Sequence, residues 1–140
     1  MAARDRYDSL LRYYAAREGL DWLDLKAQML QESAANPKAV SPAGARGLLQ
    51  FMPRTWDEWA PGEHPYDPEA SIEAGAKYMA WLLKRYQGNH RQALAAYNWG
   101  IGNVQKAGAD WPAKLPAETR QYLVRIATIR GTLGDRVQET

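Results

Sequence analysis

The chain contains no cysteine. Disulfide staples and thiolate metal sites are therefore excluded, a composition compatible with synthesis in a reducing cytoplasm. Long hydrophobic runs are also missing. The longest, Tyr78 to Leu83, has six residues, against the ~18 needed to span a membrane, so no integral membrane segment is expected. Histidine is scarce, and His64 and His90 have no partner at ligand spacing, so no metal and no cofactor is expected. An excess of one charge is lacking as well: 18 basic and 16 acidic residues leave +2. No basic run has the length of a nucleic-acid patch, which argues against nucleic acid as a partner. The small positive balance permits mild attraction to an anionic polymer such as a cell wall. Asp5, Asp8 and Glu18 interrupt the N-terminal segment and no apolar signal core is visible.

What remains is an ordinary globular composition, 46% apolar in 140 residues. That length fits one domain, residues 1–140, burying roughly two-thirds of its unfolded surface. Tyr7, Leu10, Leu11 and Tyr14 recur at helical spacing over residues 5–17, and Gly19 ends that element. Asp21 is a plausible N-cap for the next helix, which carries Leu23, Ala27 and Leu30 on one stripe with Met29 beside it. This helix should end near Ser33 or Ala34, because Pro37 keeps Asn36 out of helical geometry. Pro53 opens a short helix with Thr55, Trp56 and Trp59, and Pro61 to Pro68 reads as loop. Ser71 is the expected cap of a helix with Ile72, Ala76, Met79, Leu83 and Tyr86 at steps of three and four. Residues 91–99 form another, ended by Gly100 and Gly102, and Asp110 to Pro116 reads as loop. A last helix from Ala117 to Thr132 buries Tyr122, Leu123, Ile126 and Ile129. No run alternates with period two, no hairpin dipeptide occurs and no repeat is found, so the expectation is a single all-α domain.

Chemistry concentrates between Gln31 and Pro53. Glu32 sits at the end of its helix, where the negative end of the macrodipole disfavours ionisation. Leu48 and Met52, folded over it, would add desolvation in the same direction. A carboxyl kept protonated near neutral pH can donate to a leaving oxygen, as glycosidic cleavage requires. A solvent-facing glutamate in a last turn is the plainer alternative. The turn-rich passage that follows, with Asn36-Pro37, Ser41-Pro42 and Gly44, closes on Gln50 and Met52.

These residues fall into a pattern. Glu32-Ser33, Asn36-Pro37 and Ser41 to Pro53, then Ala96-Tyr97-Asn98-Trp99-Gly100, then Pro116, Glu118, Thr119 and Tyr122, resemble three signatures of the lytic transglycosylase catalytic domain. The likeness covers about residues 20–130. It implies a lysozyme-like, goose-type α-helical fold whose partner is the peptidoglycan glycan strand. The implied reaction is cleavage of the MurNAc-β-1,4-GlcNAc bond with formation of a 1,6-anhydro sugar. Glu32 is the implied acid and base, and the substrate's N-acetyl group replaces a second carboxylate. Ser41 would bond the muramyl sugar, and Gln50 and Met52 would line the cleft. Tyr97 would orient Glu32 or the intermediate, while Asn98, Glu118 and Tyr122 would hold neighbouring sugars.

Each assignment has a plainer counterpart. Tyr97 and Tyr122 also suit core packing with a satisfied hydroxyl. Ser41 and Asn98 suit turns or caps, and Glu118 the first turn of a helix. Leu49 departs from the methionine usual in the family by a volume-conserving change, and Trp99 departs from a small residue; the second departure leaves subsite preference open. Trp56 and Trp59 suit either sugar stacking or a buried stripe; Trp81 is expected in the core, and Trp22 and Trp111 are unassigned. Two other readings stay open: a hydrolase using a second carboxylate from Asp57, Asp67 or Asp110, and a non-catalytic wall-binding module. A start at Met1 without an export signal suggests a monomeric phage enzyme, an endolysin or a virion protein; a bacterial enzyme lacking its signal is the alternative.

Overall fold

The computed structural model describes the backbone of residues 2–139 and the side chains of 2–134. Among the described residues eight α-helices follow a short 3-10 turn: α1 Asp8–Glu18, α2 Trp22–Ser33, α3 Pro53–Trp59, α4 Pro68–Arg85, α5 His90–Trp99, α6 Ile101–Ala107, α7 Trp111–Lys114 and α8 Ala117–Glu139. Among the described residues no strand forms; Val40, Arg46 and Phe51 make only isolated bridges.

Helix α2 is the axis of this arrangement, packed between α1 and α8. Its start is as expected, with the Asp21 carboxylate accepting from Leu23 N (2.8 Å) and Asp24 N (3.4 Å). Leu25 and Met29 pack into a cluster with α1, the Leu48–Phe51 turn and α4. Leu23 and Ala27 pack into a second cluster with α4, α5 and α8. A helix buried on two sides has few rotational options, so whatever projects from its last turn is held firmly. That residue is Glu32.

Lys26 adds a polar anchor. Its side chain is almost fully buried, 2.5 Å from Asp5 and 2.7 Å from Asp8, which ties the N-terminal segment to α2.

Five expectations change. Ser71 does not cap α4. Asp67 does, accepting from Ala70 N at 3.2 Å with Pro68 in the first turn, so the helix begins earlier. Gly100 ends α5 as expected, but Gly102 lies inside α6, and the stretch from 110 to 116 contains α7. Helix α8 runs past Thr132 to Glu139. Trp81 is not in the core: it is 41% exposed, whereas Trp56 and Trp111 are buried. Trp81 stands with Tyr78 against Trp59 of α3, and three-and-four spacing cannot tell an inward ring from one lining a groove.

Candidate active site

Helix α2 stops abruptly after Ser33, whose hydroxyl bonds back to Met29 O. Ala34 and Ala35 both adopt left-handed backbone, with φ of 52° and 63°. Two consecutive non-glycine residues in that region are costly and persist only where the surroundings impose them. They turn the chain out of the helix and into a passage, the roof of the site, which is tied at Leu49 to Tyr97, a close electrostatic neighbour of Glu32.

That roof consists of two closed turns. In the first, Ser41 N bonds Ala45 O and the Ser41 hydroxyl accepts from Ala45 N at 3.0 Å. In the second, Arg46 and Phe51 exchange backbone hydrogen bonds of 3.0 and 3.1 Å around Gly47 to Gln50. Gln50 is left-handed too (φ 53°), and its side-chain amide donates to Gly47 O at 2.8 Å and Ala39 O at 3.1 Å. The second turn is gripped from both sides at Leu49. Its N–H donates to the buried Ser71 hydroxyl of α4 at 3.2 Å, and its carbonyl accepts from the Tyr97 hydroxyl of α5 at 2.7 Å. Gly75 of α4 leaves the room that the Leu49 side chain fills.

Glu32 has only part of its surface exposed. Tyr122 of α8, itself buried, donates its hydroxyl to Glu32 Oε2 at 2.7 Å. Burial pushes the Glu32 carboxyl up to about 8, and the Tyr122 hydrogen bond offsets only part of that. At neutral pH the group is therefore mostly protonated. Since Tyr122 occupies Oε2, the carboxyl proton belongs on Oε1, which leaves that oxygen to serve as acid. Tyr122 and Tyr97 are themselves held well above the usual phenol value, by burial first and by the nearby Glu32 second, so both remain donors.

The other residues singled out in the sequence divide. Gln50, Met52, Tyr97 and Asn98 line one cleft of about 210 Å³, with Trp99 and Tyr78. Met52 is 45% exposed on its wall, while Leu48 is fully buried. Tyr97 braces Leu49, so the hydroxyl that reaches Glu32 is that of Tyr122. Asn98 Oδ1 accepts from the buried Thr119 hydroxyl at 2.8 Å, which commits the oxygen and leaves the amide N–H groups as its available donors. Ser41 braces its own turn, its hydroxyl proton uncommitted among the described hydrogen bonds. Glu118 is exposed in the first turn of α8 and joins no described hydrogen bond or ion pair.

Sequence reasoning missed Ser71 as a brace and Gln28, a buried polar residue within the apolar stretch of α2. Polarity at a buried helix position was the available signal for Gln28; Ser71 had none beyond its expected role as a cap.

Among the described residues no second carboxylate joins Glu32. Asp67 is committed to capping α4, and Asp57 and Asp110 are exposed on α3 and on the turn before α7. Among the described residues no cluster of histidines and acids has metal-binding form, and no helix is long and apolar enough to cross a membrane.

The chain as a whole has relatives among known proteins. Residues 9–118 match the transglycosylase SLT domain. The chain belongs to this family. The SLT chain is 39% identical over 108 residues to the membrane-bound lytic murein transglycosylase F of Marinobacter nauticus, and 41% identical over 108 residues to that of Shewanella woodyi. Each alignment covers 73% of the SLT chain but 21% and 22% of the relative. Among solved structures it resembles an inactive mutant of the lytic transglycosylase Slt from Pseudomonas aeruginosa, with TM-score 0.83, 28% identity and 96% of this chain covered. It also resembles the 70 kDa soluble lytic transglycosylase of Escherichia coli, with TM-score 0.77, 28% identity and 90% coverage. The SLT chain spans about a fifth to a quarter of all four proteins.

Proposed function

We propose that this SLT domain is a peptidoglycan lytic transglycosylase, with Glu32 as its acid and then its base. The supporting observation is a partly exposed carboxyl pushed up to about 8 with no second acid beside it among the described residues. Protonated Glu32 donates from Oε1 to the bridging oxygen between MurNAc and GlcNAc as the C1–O bond breaks. The neighbouring N-acetyl group holds the anomeric carbon in the interval. The Glu32 carboxylate then takes the proton of the muramyl C6 hydroxyl as that oxygen bonds C1. The product is a 1,6-anhydro sugar, and Glu32 returns to its starting protonation. Ser41, Asn98 and the wall formed by Gln50 and Met52 are the proposed contacts to the sugars around that bond; Glu118, exposed at the start of α8, is proposed to hold a more distant one. The relatives named as lytic transglycosylases support this chemistry, as does the name of the Pseudomonas aeruginosa Slt mutant, which calls it inactive.

Mass spectrometry of digested peptidoglycan tests the reading. Muropeptides ending in anhydroMurNAc are expected. Reducing ends alone would make the domain a hydrolase, and no released fragments would leave a wall-binding module. The phage endolysin or virion role draws no support from these relatives, which are named as membrane-bound bacterial proteins.

The proposed path of the strand continues from the Tyr97–Asn98 cleft into an adjoining groove of about 830 Å³, lined by Arg54, Glu58, Trp59 and Trp81; the two share Thr55, Tyr78 and Gly100. Trp59, Tyr78 and Trp81 form a continuous aromatic wall, with centroids 5.1 to 6.3 Å apart. Trp81→Ala should raise KM for polymeric peptidoglycan about fivefold, the worth of about 1 kcal/mol of buried ring surface. The kcat and melting temperature should stay near wild type. An unchanged KM would remove Trp81 from the path.

A further inference from the structure

Gln28 lies one helical turn before Glu32 on α2, so the two side chains share a face. It is 1% exposed, in a helix whose other inward positions include Leu23, Leu25, Ala27 and Met29. A buried primary amide is costly to desolvate unless it has partners, and leucine or methionine would fill the same space without that cost. Its Nε2 donates to the Tyr122 hydroxyl oxygen at 3.4 Å, and the same hydroxyl donates to Glu32 Oε2 at 2.7 Å.

A phenol has one proton to give and lone pairs to receive. With an amide N–H directed at the oxygen, the hydroxyl proton is committed to the carboxylate. We propose that Gln28 is a positioning residue for Glu32, acting through Tyr122 by fixing the direction in which that hydroxyl donates. Donation into the phenol oxygen also polarises the O–H bond, making it a stronger donor. The form of Glu32 that gains most is the carboxylate, which the second half of the proposed reaction needs. This catalytic consequence rests on the proposed function; the hydrogen-bond role does not.

The surrounding charges do not supply the same hold. Glu32 is faced by Tyr122 from α8 and Tyr97 from α5, and no cation among the described residues contributes to its shift. Behind Gln28, Asp21, Asp24 and His90 line a small pocket of about 90 Å³, and both aspartates are paired with Arg130 of α8.

The test is a ¹³C-carboxyl NMR titration of Glu32 in the full chain, with kcat and KM measured beside it. In Gln28→Met the midpoint should rise by ~0.3 unit, a twofold change in the ionisation constant. The kcat should fall about threefold with KM unchanged. Gln28→Asn keeps a buried amide but falls one methylene short, and should shift the titration the same way. In a Tyr122→Phe background, Gln28→Met should move the midpoint no further. An unmoved titration in either folded variant, or the same shift persisting without the Tyr122 hydroxyl, overturns the assignment. Because the titration needs no substrate, failure of the transglycosylase reading would be seen separately, as absence of muropeptides with the shift intact.

Discussion

Glu32→Gln is expected to lose at least about a thousandfold in activity, the scale of a removed general acid and base, while becoming more stable than the parent as pH rises. The two effects share one cause. Burial holds the Glu32 carboxyl at about 8 in the folded chain, against an ordinary 4.5. Between those values the folded state binds a proton that the unfolded state has released, so ionisation opposes folding. The sign is that of a raised folded value: the contribution is fully present below about 4.5 and is lost as pH rises through about 8. Glutamine cannot ionise and still offers an oxygen to Tyr122, so it avoids the loss. The advantage at pH 7 to 9 is on the order of 3 kcal/mol. For a domain of this size that corresponds to about 5–10 °C in melting temperature. Near pH 5 the two curves should almost meet. Thermal melts across that range decide it. Parallel curves with no widening gap would mean that Glu32 is ionised in the folded protein at neutral pH, and that the acid role is wrong.

Much of this was legible because local chemistry dictated it. The Asp21 cap, the apolar stripes of α1, α2, α4 and α8, and the stop imposed on α5 by Gly100 depend on residues within a turn or two of one another. Asp67-Pro68 is equally local, but the prolines around it read as loop, and Ser71 lies one turn inside a helix that Asp67 has already capped. Helices α6 and α7 were hidden for another reason. Gly102 carries poor helix propensity, which packing of Val104 into the second core cluster outweighs. Pro112 reads as a breaker but stands in the first turn of α7, where proline is tolerated, beside the buried Trp111. At the site, Glu32 could be singled out because helix end, turn signals and family pattern coincide. Which tyrosine reaches it could not. Tyr97 and Tyr122 are separated from Glu32 by 65 and 90 positions, and their hydroxyl partners depend on how α5 and α8 settle against α2. Sequence spacing brings both phenols to the site but does not distribute their hydrogen bonds. The same limit applies to Trp81, whose spacing is that of a core residue.

Gly47→Ala should be the most damaging single-methyl change in the roof, costing about 3 kcal/mol or more. Two independent obstacles act at that position. Its φ is +83°, a region that a side chain enters only with strain. A Cβ there would also stand 2.2 Å from the Pro65 carbonyl oxygen, which is backbone and cannot swing aside as a flexible side chain would. Relief requires moving the Arg46–Phe51 turn off the Pro61–Pro68 segment. That movement strains the Leu49–Ser71 and Leu49–Tyr97 bonds that fix the turn over the acid. Gly44→Ala is the matched control: its φ is +97°, but nothing lies within 4 Å of the added carbon. It should cost only the backbone strain, about 1–2 kcal/mol. Urea melts of the two variants separate the effects, and activity at low temperature should be lost in any Gly47→Ala protein that folds. Equal stability of the two alanine variants would show that the Pro65 contact yields easily, and that the roof is held by its hydrogen bonds alone.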